Sequence, residues 1–275
     1  MIFNPKPNYP TYPPYHIGLY LEDYFINFLE KQQIKTNKTF IKVGWTSYYN
    51  NGFDRIKLQN FLNTLPTNEN YFVVCQHDDA PQEKLPKNTI IFSAGGNIRG
   101  QNVIPIPLIC SSIIDPPKIK IENKDIFCSF VGSTTHSIRK ILQEKYQSKY
   151  KFYQTKWSSS VSKDQLNNFI DITSRSKFAL CPRGYGPSSF RLYESMQLGT
   201  VPVYVSDYHH LPWSDKINWN DICVIIKEQE INDIDNILSK IDDNVYKKML
   251  NKIEELYDTF FTLEGVCQNI LEKIQ

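Results

Sequence analysis

Apolar residues follow two alternating patterns along the chain. Short continuous apolar runs alternate with longer stretches in which apolar side chains recur at helical spacing. A short continuous run marks a strand buried on both faces, as in a parallel sheet. In the first part, 71–76, 89–93 and 103–106 are such runs, and 39–45 also reads as a strand. Leu19, Phe25, Phe28 and Leu29 give residues 16–31 a helical pattern, and 54–65 repeats it with Asp54 at its start. The second part alternates more cleanly. Strands are predicted at 126–131, 151–153, 178–181, 201–205 and 222–226. Helices are predicted at 136–147, from a cap at Asp164 to 174, and at 188–198, with 231–274 helical throughout. Alternation of this kind implies parallel α/β sheets.

Between 104 and 120 stand Pro105, Pro107, Pro116 and Pro117. Proline fixes its own backbone and restricts the residue before it, so the domain junction is expected here. That gives an N-terminal domain at 1–115 and a C-terminal domain at 116–275. Residues 1–14 are Pro-rich and read as extended. Two strand–helix halves on a hinge imply a two-domain Rossmann-like enzyme, whose ligands sit beyond the C-terminal ends of the strands.

Composition narrows the classes. A hydrophobic fraction of 41% supplies a real core and excludes global disorder. Thirty-one basic against 29 acidic residues give a net charge of +2, which makes no case for a nucleic-acid binder. The six cysteines are scattered without a C-x-x-C pair, which argues against zinc; all six read as reduced. No apolar stretch approaches the ~18 residues of a membrane span, and the N-terminus lacks the pattern of a signal peptide. The expectation is a soluble, cytoplasmic protein with no membrane span. Its Asn-, Lys- and Ile-rich composition suits a microbe or a large virus.

The densest chemistry lies at 177–194. A buried strand ends at Pro182. A loop carrying Arg183, Gly184 and Gly186 follows, and Ser188 or Ser189 then opens a helix holding Arg191 and Glu194. A helix N-terminus presents free N–H groups and the positive end of the dipole. With two serines and two arginines it suits a diphosphate, and a carboxylate slightly deeper suits a ribose diol. The same residues also fit an ordinary strand–loop–helix with a surface Arg–Glu pair, since Arg191 and Glu194 share a face. Neither G-x-G-x-x-G nor a P-loop is present, which argues against NAD enzymes and P-loop kinases.

Continued through Asp207, and then through Leu211-Pro212-Trp213 and Ile217-Asn218-Trp219, this stretch resembles the exostosin-type glycosyltransferase family. Weaker matches are Phe130-Val131-Gly132 with Ser137-Ile138-Arg139, His77-Asp78, and Trp45-Thr46. The resemblance implies a GT-B fold, with two facing Rossmann-like domains and C-terminal helices packing back on the first. It implies inverting transfer from a nucleoside diphosphate sugar, a UDP-sugar first among them, to a glycan or other hydroxyl acceptor. It implies no metal or other cofactor in this domain type. Arg139, Arg183, Ser188, Ser189 and Arg191 are then candidates for the diphosphate, and Glu194 for ribose or sugar hydroxyls.

An inverting transfer needs a general base from across the cleft. Asp78, then Asp79 or His77, directly follows a predicted strand and is the candidate. His209 and His210 also follow a strand and edge the same cleft. Tyr204, Trp213 and Trp219 read as core aromatics or as sugar platforms. Two other readings fit the fold: a non-catalytic nucleotide-sugar or glycan-binding module, and a DNA-modifying glucosyltransferase. The balanced charge counts against the second.

Overall fold

In the computed structural model, which describes residues 20–50, 54–109, 113, 116–117, 119–157 and 161–275, the apolar runs form two separate parallel sheets. The first contains Thr39–Phe40 (β1), Tyr71–Cys75 (β2), Thr89–Ser93 (β3) and Val103–Pro105 (β4), in the order β1-β2-β3-β4. Leu21–Gln32 (α1), Trp45–Asn50 (α2) and Arg55–Asn63 (α3) accompany it. Every residue of β2 is buried, as a strand covered on both faces requires.

The second sheet contains Ile126–Gly132 (β5), Lys151–Gln154 (β6), Ser176–Pro182 (β7), Val201–Val205 (β8) and Val224–Ile226 (β9). Its order is β6-β5-β7-β8-β9, all parallel. Ser137–Tyr146 (α4), Lys163–Ser174 (α5) and Phe190–Gln197 (α6) connect its strands. Ile234–Ser239 (α7), Asp243–Phe260 (α8) and Leu263–Ile274 (α9) follow. The last of these returns to the first unit. Asn37 and Lys38 donate to the carbonyls of Gln275 and Ile274, and Leu21 and Phe25 share one apolar core with Ile270 and Ile274. The two Rossmann-like halves and the returning helix are those of a GT-B chain. The passage from one sheet to the other falls between Pro105 and Ile126.

Several boundaries differ from the sequence reading for local reasons. The first strand stops at Phe40, and Trp45 opens α2 instead, where Glu22 of α1 accepts the Thr46 N–H. Ser162, not Asp164, caps α5, in a reciprocal capping box with Gln165. The strand expected from Ile222 begins at Val224, because a 3-10 turn occupies Trp219–Asp221. Cys75, Cys128, Cys181, Cys223 and Cys267 are buried free thiols. Residues 1–14, the first positions of the helix expected at 16–31, and Cys110 lie outside the described residues. Among the described residues, no helix is long and apolar enough to cross a membrane.

Candidate active site

The order of the second sheet creates a crevice. The chain leaves β5 toward β6 on one side and then resumes with β7 on the other. Such a topological switch point opens a ligand crevice at the C-terminal ends of the two central strands. The register shows it opening. β5 and β7 pair as far as Ser129 and Ala179; beyond that, Phe130 to Gly132 pair with β6 and Leu180 to Pro182 with β8.

Two arginines occupy the gap. Arg191, in the first turn of α6, donates through Nε to the Val131 carbonyl, and its guanidinium lies 5.2 Å from the Phe130 ring centroid. A β-carbon on Gly132 would stand 1.8 Å from Arg191 Nη2, so only glycine leaves room for this contact. Arg139, from α4, is buried. It donates to the carbonyls of Arg183 (3.0 Å), Ser133 (3.0 Å) and Pro182 (3.2 Å), and to Thr135 Oγ1 (3.1 Å). Backbone carbonyls freed by the diverging strands thus find donors. The formal charges of these arginines stay in the crevice.

Arg183 sits at the lip. It donates to the Tyr185 carbonyl at 3.0 Å and lies 3.9 Å from Glu228. Ser189 stands at the N-cap of α6, yet its side chain makes no capping bond; its buried Oγ has no hydrogen-bond partner among the described residues. Ser188 Oγ is also buried, facing the Tyr193 hydroxyl without a hydrogen bond of normal geometry. His136 caps α4, and burial, then Arg183 and Arg139, hold its pKa below the usual histidine range.

The first sheet faces this crevice with the loops after β2 and β3. Asp78 follows β2 by three residues and packs on the glycine loop of the opposite unit. A β-carbon on Gly186 would lie 2.4 Å from Asp78 Oδ1 and 2.7 Å from the Gly95 carbonyl. The carboxyl of Asp78 accepts no hydrogen bond among the described residues. Burial first, and Asp79 second, raise its pKa to about 6. Asp79 is engaged differently: Asn97 donates to it at 2.9 Å, and the Tyr185 hydroxyl reaches it from the opposite unit. His77 Nδ1 accepts the Asp79 N–H at 3.1 Å, and burial lowers its pKa. That nitrogen is therefore occupied. Of the three, Asp78 alone presents an uncommitted, poorly solvated carboxylate.

A family model for the exostosin GT47 domain matches residues 61–241. The chain belongs to the exostosin GT47 family. Among curated relatives, the probable glucuronosyltransferase GUT1 of Oryza sativa subsp. japonica is 36% identical over 85 residues, 31% of this chain and 20% of that protein. The probable beta-1,4-xylosyltransferase IRX10 of Arabidopsis thaliana is 35% identical over 85 residues, 31% of this chain and 21% of that protein. The matched stretch is thus about a fifth of the length of these relatives. Among solved structures, sucrose-phosphate synthase from Thermosynechococcus elongatus aligns at TM-score 0.43 and 13% identity, covering 92% of this chain and 71% of that one. An α1,3-fucosyltransferase with GDP aligns at TM-score 0.40 and 17% identity, covering 72% and 75%.

In this exostosin domain, Arg139, Arg183, Ser188, Ser189 and Arg191 come together around the switch point. Arg139 is a buried clamp rather than a surface charge. Glu194, one turn after Arg191 on α6, lines a narrow crevice with Leu108, Ile109, Phe190, Tyr193, Gln197 and Tyr257. Tyr204, Trp213 and Trp219 are buried core residues. His210 is buried where the units meet: its Nε2 bonds the Ser93 carbonyl at 2.8 Å, and its ring abuts Gly96.

Sequence reasoning passed over Glu22, Asn97, Arg99 and Tyr208. Glu22 is fully buried and accepts the N–H groups of Thr46 (2.5 Å) and Gln76 (3.1 Å), while Gln76 Oε1 accepts the Leu21 N–H at 2.9 Å. This exchange fixes the end of β2 against α1, two residues before Asp78. Burial first, and Asp23 next, raise the Glu22 pKa to about 7. In the sequence it is one polar position in an amphipathic helix, with nothing to mark it. Asn97 carried a weak signal, the Gly95-Gly96 pair that follows a buried strand.

Proposed function

We propose that the chain is an inverting glycosyltransferase that takes a nucleoside diphosphate sugar, a UDP-sugar being the first to try, and transfers the sugar to a hydroxyl of a carbohydrate acceptor. One observation supports this above the rest: Arg139, Arg183 and Arg191 converge at the switch point, beside the N-terminus of α6 and the unpartnered Ser189 hydroxyl. A crevice of that charge, lined by backbone donors, suits a diphosphate. Asp78 takes the proton from the acceptor hydroxyl. The acceptor oxygen forms its bond to the anomeric carbon on the face opposite the diphosphate, whose bond to the sugar breaks. The electron pair leaves on the diphosphate, where Arg183, Arg191 and the first N–H groups of α6 stabilise it. In this reading those groups carry the charge and the chain uses no metal cofactor.

A non-catalytic binding module would need no base, so the uncommitted Asp78 carboxyl weighs against that alternative. A thermal-shift panel of UDP- and GDP-sugars tests the reading. Saturation at about 100 times Kd should stabilise the fold by about 2.7 kcal/mol. If no nucleotide sugar moves the transition, the reading fails.

A further inference from the structure

His210 follows β8 in the second unit, yet its side chain is buried against the first. Gly96 has φ 91°, and a β-carbon there would stand 2.6 Å from the His210 ring, so only glycine allows this approach. His210 Nε2 lies 2.8 Å from the carbonyl of Ser93, the last residue of β3. A carbonyl only accepts, so Nε2 carries the proton. The same carbonyl accepts the Ile106 N–H at 3.0 Å, so β3 keeps a sheet bond there without His210. Burial lowers the His210 pKa, the Ser93 bond opposes this, and Arg99 adds to the lowering. The ring is thus a fixed neutral donor and not an acid–base catalyst.

From Ser93 the chain runs directly onto Asp78. A β-carbon on Gly95 would stand 2.3 Å from Asp78 Cα, and the Asn97 N–H donates to the Asp78 carbonyl at 3.1 Å. On the other side, the Tyr204 hydroxyl of β8 accepts the His210 N–H at 3.4 Å. It shares its own proton between the carbonyls of Pro187 and Tyr208, each at 2.8 Å. Pro187 adjoins Gly186, which packs on the Asp78 carboxyl. Both loops that enclose Asp78 are therefore tied to the end of β8, the glycine loop through Pro187 and the 94–97 loop through His210. At the rim, the Arg99 guanidinium lies 3.7 Å from the Tyr208 ring centroid, a cation–π contact across the same seam.

Resting on the glycosyltransferase reading and on Asp78 as its base, we propose that His210 is a positioning residue. Its bond to Ser93 seats the 94–97 loop against the glycine loop and so sets where the Asp78 carboxyl stands relative to the donor crevice. A misplacement of about 1 Å can cost on the order of 10²-fold in rate. The titratable groups around Asp78 are His77 and Asp79 on its own loop and Tyr185 on the glycine loop; residues 94–97 carry none. Arg183, also on the glycine loop, turns to Glu228. Burial is the largest cause of the raised Asp78 pKa of about 6, with Asp79 second. Opening the seam admits water, so that pKa should fall back toward 3.8.

Release of nucleoside diphosphate to water, from the nucleotide sugar that gives the largest thermal shift, tests this with the full chain. The wild type, His210→Gln and His210→Phe are compared across pH. Glutamine places a donor near the Nε2 position, whereas phenylalanine fills the ring space and donates nothing. The donor thermal shift checks that each variant is folded. His210→Phe should lower kcat at least roughly tenfold, leave the donor KM within about twofold, and move the acid limb below its place near pH 6. His210→Gln should restore the limb and most of the rate. Because glutamine does not titrate, a limb that persists in that variant belongs to Asp78. Partial unfolding lowers the rate without moving the limb, so the limb separates positioning from mere stability. An unmoved limb in His210→Phe, a glutamine variant no better than phenylalanine, or a donor KM that rises in step with the lost rate would each overturn the role. If the wild type gives no donor shift, the glycosyltransferase reading fails instead; if Asp78→Asn keeps full turnover, the base assignment fails.

Discussion

The first sheet runs in chain order from β1 to β4, whereas the second departs from its chain order at β5 and β7. Both are parallel and both bury apolar strands, so by composition they look alike. Their chemistry differs because only the second has a switch point, where two central strands part and leave a gap. That gap is filled by arginines, which answer strand carbonyls and keep their charge. The first sheet has no such gap. It contributes the loops after β2 and β3, which press a poorly solvated carboxylate against the glycine loop opposite. In the proposed reading the second unit grips an anion, and the first supplies a proton acceptor.

Asp78→Asn should separate the two roles most sharply. Turnover should fall by about 10²–10⁴-fold, the range for losing a general base, while the donor thermal shift persists. The wild-type rate should lose activity on an acid limb near pH 6, because a carboxyl with that pKa is protonated below it. The same variant should be more stable at neutral pH. The folded pKa lies above the ordinary 3.8, so the fold prefers the protonated carboxyl; the penalty is absent below pH 3.8 and complete above about 6. Removing it should add about 1–2 kcal/mol, discounted for solvent access, and that gain should disappear in acid. Undiminished turnover would place the base elsewhere.

Gly186→Ala probes the seam between the units. Its methyl group would meet Asp78 Oδ1 and the Gly95 carbonyl far inside contact distance. The units should be forced apart, with turnover lowered by at least roughly tenfold, equivalent to about 1.4 kcal/mol, and nucleotide affinity little changed. An equal loss of both would mean that this glycine serves the donor loop rather than the seam.

The parallel strands were readable because each is a short continuous apolar run. The glycines at 184 and 186 were readable as a loop, but their reasons were not. Gly184 makes room for Arg139 and Gly186 for Asp78, and both neighbours are distant in sequence. Arg139 shows the same limit. A helix-start arginine reads as surface or ligand, and only the parting of β5 from β7 reveals the carbonyls it serves. Trp45 fell on a helix because the partner that satisfies α2, Glu22, lies on another element. Propensity and periodicity report what a segment buries; they do not report which distant backbone needs a donor.

The smallest effect is expected at Tyr185, which reaches Asp79 across the cleft from an otherwise exposed position. Tyr185→Phe removes only a solvent-exposed polar interaction with Asp79, so turnover should drop only a few-fold. A loss matching that of Asp78→Asn would shift the proton acceptor to Asp79.

The central claim, that the switch-point arginines grip a diphosphate, is tested most directly by calorimetric titration of UDP and uridine into the wild type and Arg191→Ala, or of the guanine pair if GDP-sugars give the thermal shift. The wild type should bind the diphosphate at least tenfold more tightly than the nucleoside, and Arg191→Ala should lose most of that margin while remaining folded. A diphosphate margin that survives in Arg191→Ala, or that is absent from the wild type, would contradict the account.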